Sequence, residues 1–247
     1  MSGEKSGLYS IPKVESRNSK AKGLRRIMNA VIKFTRHSSP TITPQALAWD
    51  RDHLWVSSRD LGMLYKIDIE TWQIVEEIDP PGIVWAAVSL GDGEMHFTIG
   101  KGLNDDRYIY RYAPDEGFAK LFACPDFTGS FLSFDGAHLY MSQWYEERIL
   151  EFDDHGNILR KIDIGAEICG HTFADGAMYV LRGRENKDQP NKSEEWRIAR
   201  LHPQTESPDV EDLAAIPFAA RSLTFDSGLF WSNHRAKDTI ISFALPN

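Results

Sequence analysis

The chain has 247 residues, of which 42% are hydrophobic, and it carries a net charge of −8. This acidic balance argues against a general nucleic-acid-binding protein, because the neutralisation of phosphates requires an excess of Lys and Arg. No apolar run is long enough to cross a membrane, and the two cysteines, Cys124 and Cys169, are too few for a disulfide framework and lack zinc-site spacing.

The N-terminal segment, residues 1–26, is basic, with seven Lys or Arg side chains against Glu4 and Glu15. Such a segment is typical of a solvated tail. No apolar stretch follows the basic residues as it would in a secretory signal, so we expect a cytoplasmic protein. A single domain is predicted over residues 27–247.

An internal repeat follows the tail. Five segments combine an apolar strand, a turn with Asp or Gly, and a second strand rich in aromatic residues; they span 46–58, 87–100, 131–143, 172–182 and 222–233. Each precedes a third alternating segment, and most repeats show a fourth. A period of about 40–50 residues with several short strands is the signature of a β-propeller. The sequence therefore predicts an all-β fold, a propeller of five four-stranded blades.

The last repeat stops after its third strand, at 240–244. The segment MNAVIKFTR (28–36) alternates in polarity and precedes the first repeat. We expect it to supply the outer strand of the last blade, since this closure removes the free sheet edges that promote aggregation.

The first strand of each blade lines a propeller's central channel, and the longest predicted loops, 101–107 and 183–196, lie on one face. Insertions concentrated on one face usually mark the binding face. Strand ends on this face supply the predicted ligand-binding residues: Gln45, Arg59, Trp85, Lys101, Phe127, Trp144, Arg182, Arg221 and Asn233.

The same face also receives Asp60, Glu146, Arg184, His234 and Arg235, and in the whole set positive groups outnumber negative ones. Guanidinium groups with aromatic rings suit a small organic anion. We expect Arg59, Arg182, Arg221 and His234 to surround one cavity. The alternative is that these arginines form ordinary ion pairs that tie loops together.

Three residues form the predicted catalytic set: His171, His234 and Glu146. His171 begins the first strand of the fourth repeat and His234 ends the second strand of the fifth, where a neutral imidazole could act as acid or base. Cys169 and His171 could alternatively form a nucleophile pair. Glu146, Asn233 and Asp60 could alternatively hold a divalent cation. Nearby arginines would repel such an ion, so we predict no metal and no cofactor.

The repeats resemble those of plant and bacterial glutaminyl-peptide cyclotransferases, which are five-bladed propellers. The similarity is carried by 43–78, 85–99, 128–142 and 221–233. Gln45 matches the family's Gln at the channel mouth. The family's acidic residue falls on Val56, which cannot carry a proton, and its QLTW segment corresponds to HFTI (96–99). The resemblance thus implies the fold and the site but an absent or very weak cyclase activity.

Together these features predict a soluble propeller that binds a small anionic ligand and performs metal-independent acid–base chemistry of lyase, cyclase or hydrolase type. The alternative is a non-catalytic propeller that binds a metabolite or a protein partner. Neither hypothesis involves nucleic acid or a membrane.

Overall fold

The computed structural model describes residues 30–102, 107–186, 194–205 and 208–246. Within these ranges the chain forms five sheets of four antiparallel strands each. The first strand of each sheet contacts the first strands of the two neighbouring sheets, so that the five first strands form a closed cycle. The predicted five-bladed propeller is confirmed.

Each blade is given from the channel outward. Blade 1 contains β2 (Pro44–Trp49), β3 (Leu54–Ser58), β4 (Leu64–Asp68) and β5 (Gln73–Ile78). Blade 2 contains β6 (Ile83–Gly91), β7 (Glu94–Gly100), β8 (Tyr108–Ala113) and β9 (Gly117–Ala123). Blade 3 contains β10 (Leu132–Phe134), β11 (Leu139–Gln143), β12 (Arg148–Phe152) and β13 (Ile158–Asp163). Blade 4 contains β14 (Glu167–Ala174), β15 (Ala177–Arg184), β16 (Glu195–Leu201) and β17 (Glu211–Ile216). Blade 5 contains β18 (Arg221–Asp226), β19 (Leu229–His234), β20 (Thr239–Phe243) and β1 (Phe34–Ser38), and two short 3-10 turns span Pro125–Phe127 and Arg235–Lys237.

The N-terminal strand closes the ring as expected, although its bounds differ from the prediction. Strand β1 pairs antiparallel with β20, with Phe34 opposite Phe243. The residues just before it run along blade 4, where Val31 forms a parallel bridge with Ala215. The chain therefore joins blades 4 and 5 before it completes blade 5. The predicted tail, 1–26, and residues 28–29 lie outside the described part of the chain.

The Asp of the repeat is a turn residue between the first and second strands. Asp50 Oδ1 accepts hydrogen bonds from the backbone N–H groups of Asp52 and His53, while its Oδ2 accepts one from Trp55 Nε1 at 2.6 Å. Asp135 repeats the pattern in blade 3, with Tyr140 as its side-chain donor. Such Asx turns explain the repeated Asp and place it at the face opposite the strand ends that carry the candidate site.

The core consists of five apolar clusters, each between two neighbouring blades. Because successive side chains of a strand point to opposite faces of its sheet, they contact the blades on either side in turn. Trp55 of blade 1, for example, packs against Phe97 and Tyr112 of blade 2, with ring centroids 5.9 and 5.7 Å away. In the described residues, no helix has the length and apolar character needed to span a bilayer.

The ring of first strands is tight below the mouth. A Cβ atom added to Gly170 would lie 2.5 Å from the backbone carbon of Ser222 in the next blade. His171 beside it is fully buried, and its ring nitrogens lie 2.6 Å from Ser133 Oγ and 3.1 Å from the Phe131 carbonyl oxygen. Strands β14 and β18 therefore leave no room for a ligand between them at this level.

Candidate site at the mouth of the channel

Gln45 connects three elements at the mouth. Its Nε2 donates to the Trp85 carbonyl at 3.2 Å, and its Oε1 accepts from Arg235 Nη1 at 2.7 Å. Its backbone carbonyl accepts from Asn233 Nδ2 at 3.0 Å. Gln45 and Asn233 are buried, so this network fixes their orientation.

Local backbone features place these side chains. The register between β2 and β3 shifts between Pro44 and Leu47, and β18 shifts against β19 in the same way after Arg221. Asp238 accepts the Thr43 N–H at 2.6 Å and ends the 3-10 turn that begins at Arg235. The bulges open the strand ends, and the docked turn holds Arg235 beside Gln45.

Three polar atoms of this group have no hydrogen-bond partner within the described ranges: Asn233 Oδ1, His234 Nδ1 and Trp85 Nε1. Buried polar atoms are almost always bonded in native proteins. These atoms therefore offer one acceptor, one indole donor and one imidazole nitrogen to a bound molecule.

Arg235 lies near two other guanidinium groups, and the charges of Glu185 and Glu194 offset their effect only in part. Burial first, and then the charges of Arg221 and Arg59, lower the pKa of Arg235 to about 10. Among the described residues no carboxylate forms an ion pair with Arg235, whose hydrogen bond goes to the neutral Gln45. An incoming anion would relieve the repulsion between these guanidinium groups.

His234 is partly buried and directly precedes Arg235. Burial, and next the charge of Lys237, lower the pKa of His234 below its ordinary value. Its imidazole is therefore neutral at pH 7, and Nδ1 can accept a proton.

Arg221 is fully engaged by the protein itself. Its guanidinium binds both carboxylate oxygens of Glu194, at 2.8 and 2.9 Å, and Glu185 Oε1 at 3.0 Å. It also stacks over Trp144, 5.0 Å from the ring centroid. Arg221 thus joins the two stems of the 183–196 loop, and its side chain is only 6% exposed.

The predicted convergence of Arg59, Arg182, Arg221 and His234 on one cavity does not include Arg182. Arg59 pairs with its neighbour Asp60 at 2.8 Å. Arg182 turns away, towards Asp212 of the outer strand β17 and the Ile164 carbonyl. Each of the three arginines therefore has a carboxylate partner, as in the ion-pair alternative, and they remain ligand residues only by prediction.

The remaining predicted residues lie around this centre. Trp144 Nε1 donates to Glu167 at 3.3 Å, and Trp85 lies under Arg107, 4.2 Å from ring centroid to guanidinium carbon. Glu146 is exposed in the β11–β12 turn. Lys101 lines a separate groove, and the side chain of Phe127 lies outside the described set.

His171 and Cys169 do not form a pair. The β14 register shifts between Ile168 and Gly170, which breaks the strand alternation. Cys169 consequently packs in the cluster between blades 4 and 5, where burial raises its pKa well above the ordinary value, while His171 points to blade 3. Burial also lowers the pKa of His171 to about 4, so its ring is neutral at pH 7. Both ring nitrogens are hydrogen-bonded within the channel wall.

Sequence reasoning assigned no role to Glu194 and placed Arg235 at the mouth only as one of several positive groups. Arg235 directly follows His234 at a strand end, so its position was visible, but its lack of a carboxylate partner was not.

Within the described ranges no group of three His, Cys, Asp or Glu side chains is arranged to hold a metal ion. Asp60 of the alternative cation site is bound by Arg59.

No protein-family model matches the chain, and a search of curated protein sequences gave no match. Solved structures do match. Glutaminyl cyclase from Myxococcus xanthus gives a TM-score of 0.58 at 12% identity, covering 88% of this chain and 100% of that one. Virginiamycin B lyase from Staphylococcus aureus gives 0.52 at 16% identity, covering 87% and 100%. The PQQ-bound aldose sugar dehydrogenase from Streptomyces coelicolor gives 0.52 at 12%, covering 88% and 100%.

At these identities the likeness concerns the fold alone. Val56, the position that the cyclase resemblance aligned with an acid, is fully buried in the apolar cluster between blades 5 and 1, beside Leu47 and Trp231. The chain is a five-bladed propeller whose structural neighbours include a cyclase, a lyase and a dehydrogenase.

Proposed function

We propose that the chain binds a small organic anion at the channel mouth and that Arg235 supplies the charge that holds it. The observation that carries this proposal is the state of Arg235: it is partly buried, repelled by two other arginines, and bonded to the neutral Gln45. A carboxylate would supply the missing counter-charge, with a geometry that a guanidinium group matches well.

The atoms around Arg235 suggest the rest of the ligand. Asn233 Oδ1 is a buried acceptor, so the ligand would present an N–H or O–H donor to it. Trp85 Nε1 is a buried donor that would suit a second ligand oxygen. A small carboxylate with one further polar group fits these demands.

We further propose that His234 makes the site catalytic, as a metal-independent acid or base. Its imidazole is neutral at pH 7, its Nδ1 has no partner in the described chain, and His234 directly precedes Arg235 in the chain. Elimination, cyclisation and hydrolysis all require such a proton transfer.

A non-catalytic metabolite-binding propeller is the second candidate. It is favoured by the engagement of the other predicted catalytic groups, since both His171 nitrogens are bonded and Arg221 holds Glu185 and Glu194.

Replacing Arg235 tests the anion site. We expect Arg235→Gln to weaken binding of a small carboxylate by about 10- to 100-fold, the worth of a charged hydrogen bond in a partly desolvated site. A panel of organic acids and their neutral amides would be ranked by thermal shift, and dissociation constants would be measured for the best acid. Arg59→Gln is the matched control, with an effect of about twofold, because the Arg59 guanidinium is already held in an ion pair by Asp60. Equal affinity in the Arg235 variant and the wild type would exclude the proposed role.

Replacing His234 separates the enzyme from the binding protein. In an enzyme, His234→Gln should keep the dissociation constant within about threefold and lower kcat by about 10²–10⁴-fold. Wild-type activity should fall as the pH drops below His234's pKa, which lies under the ordinary value of about 6.5, because the protonated ring cannot act as a base. Product formation is followed by mass spectrometry, with His138→Gln, on the opposite face, as the control. If wild-type protein binds the acid without converting it, the binding-protein alternative is correct.

A further inference from the structure

We propose a second ligand site, in the groove between blades 1 and 2, that takes a planar aromatic anion. A cavity of about 360 Å³ lies there, lined chiefly by Pro81, Ile99, Lys101, Tyr108, Tyr110 and Lys120. Small-molecule pockets typically occupy about 300–1,000 Å³, so this volume admits a molecule of one or two rings.

The aromatic side of the groove follows from strand geometry. Tyr108 and Tyr110 are two residues apart on β8, so both rings project from the same face of the sheet. Tyr110 packs against the cluster shared by blades 1 and 2, which shows that this face looks towards blade 1. Pro81, in the connection from β5 to β6, lines the same cavity.

The connection and the sheet meet closely at this point. A Cβ atom added to Gly82 would lie 2.6 Å from the Gly100 carbonyl oxygen, so the connection is pressed against the end of β7. The groove therefore has a fixed backbone boundary. Such preformed sites bind small molecules with little ordering cost.

The charge of the groove is positive. Among the described residues that line it, Lys101 and Lys120 carry a charge and none is a carboxylate. Lys120 Nζ lies 3.8 Å from the Tyr108 ring centroid and 5.8 Å from that of Tyr110, so cation–π contacts hold the ammonium at the rings. No described acidic side chain pairs with Lys120.

These features together select the ligand class. Two tyrosine rings offer offset or edge contacts to a flat ring, and Lys120 lies where an acidic substituent on that ring would reach it. A carboxylate and a phosphate share this chemistry. Lining residues of this groove take no part in the Gln45 network, so this site is independent of the proposed function.

Ligand-observed NMR on the full chain tests the site with 2-naphthoate and 2-naphthyl phosphate as anions and 2-naphthylmethanol as the neutral probe. Both anions should bind more tightly than the alcohol, and the tighter anion identifies the head group. Lys120→Gln should weaken anion binding by about threefold or more and leave the alcohol unchanged. Tyr110→Leu should weaken all three probes by about 2- to 10-fold.

Two control variants locate the effect. Lys161→Gln removes an exposed lysine from the outer strand of blade 3 and should change nothing. The probes are also titrated against Arg235→Gln, which disables the channel-mouth site, and the Lys120-dependent binding should persist in that variant. Circular dichroism and the thermal midpoint test whether Tyr110→Leu is folded. If it is unfolded, the binding data for Lys120→Gln decide whether the site exists. The proposal is overturned if the alcohol binds as tightly as the anions, if Lys120→Gln retains full anion affinity, or if Arg235→Gln alone abolishes binding.

Discussion

Arg221→Ala should lower the free energy of unfolding by about 3–5 kcal/mol, the usual cost of removing one partner from a buried ion pair. The guanidinium is 6% exposed and its partners Glu185 and Glu194 are each 20% exposed. Without Arg221, two carboxylates would be left partly desolvated at the loop stems. The contact with Trp144 would be lost as well. Arg221 was predicted from the sequence to bind the ligand, and its engagement by two carboxylates changes that expectation to a stabilising role.

Urea denaturation measures this loss, and Arg200→Ala is the matched control. Arg200 pairs with Glu211 at 2.7 Å, but the two side chains are 42% and 46% exposed, so its loss should cost under about 1 kcal/mol. Adding Glu185→Gln and Glu194→Gln to an Arg221→Met background should recover much of the stability. A loss below about 1 kcal/mol for Arg221→Ala would show that the ion pairs of Arg221 with Glu185 and Glu194 do not stabilise the fold.

The same ion pair predicts the acid response. Burial alone would raise the pKa of Glu194, but the hydrogen bond and charge of Arg221 outweigh it and lower the pKa below the ordinary value. Because the pKa of Glu194 is lower in the folded state, its ionisation stabilises the fold at pH values above the unfolded-state pKa of about 4.3. This stabilisation disappears as the pH falls through the folded-state pKa. The stability of Arg221→Ala should accordingly depend less on pH in this window.

Gly170→Ala should destabilise the chain by about 3 kcal/mol or more, since the added methyl would meet backbone rather than a movable side chain. Its Cβ atom would lie 2.5 Å from Ser222 C and 2.7 Å from Leu223 N. Either β14 or β18 would have to move, and His171 and Arg221 are on those strands. A domain of this size should lose about 6 °C or more in Tm.

Differential scanning calorimetry checks this expectation against Gly102→Ala. The described surroundings leave open space for a Cβ atom at Gly102, and its φ is not in the left-handed region, so we expect a change within about 0.5 kcal/mol. Unchanged stability of Gly170→Ala would mean that the first strands have room to separate, and that the channel can open below the mouth.

Sequence alone determined the architecture, because the physical cause of each element is local and repeats. Pairs of strands joined by a turn with Asp or Gly recur about every 40–50 residues, and the number of these repeats sets the blade count. Closure by the N-terminal strand also followed, since an incomplete last blade must pair with some other segment. The bounds of that strand could not be predicted, because residues 30–32 pair with blade 4 through backbone groups that carry no sequence signal.

Only the tertiary structure decided which side chains at the mouth are available to a ligand. Gln45, Trp85, Asn233 and His234 could be assigned to the mouth because strand ends of a ring must converge there. Which carboxylate each arginine binds depends on loops that are distant in sequence, and on bulges that change the direction of a side chain. Arg221 is consequently bound by Glu185 and Glu194, His171 is sealed in the channel wall, and Arg235 has only the neutral Gln45 as its hydrogen-bond partner in the described chain.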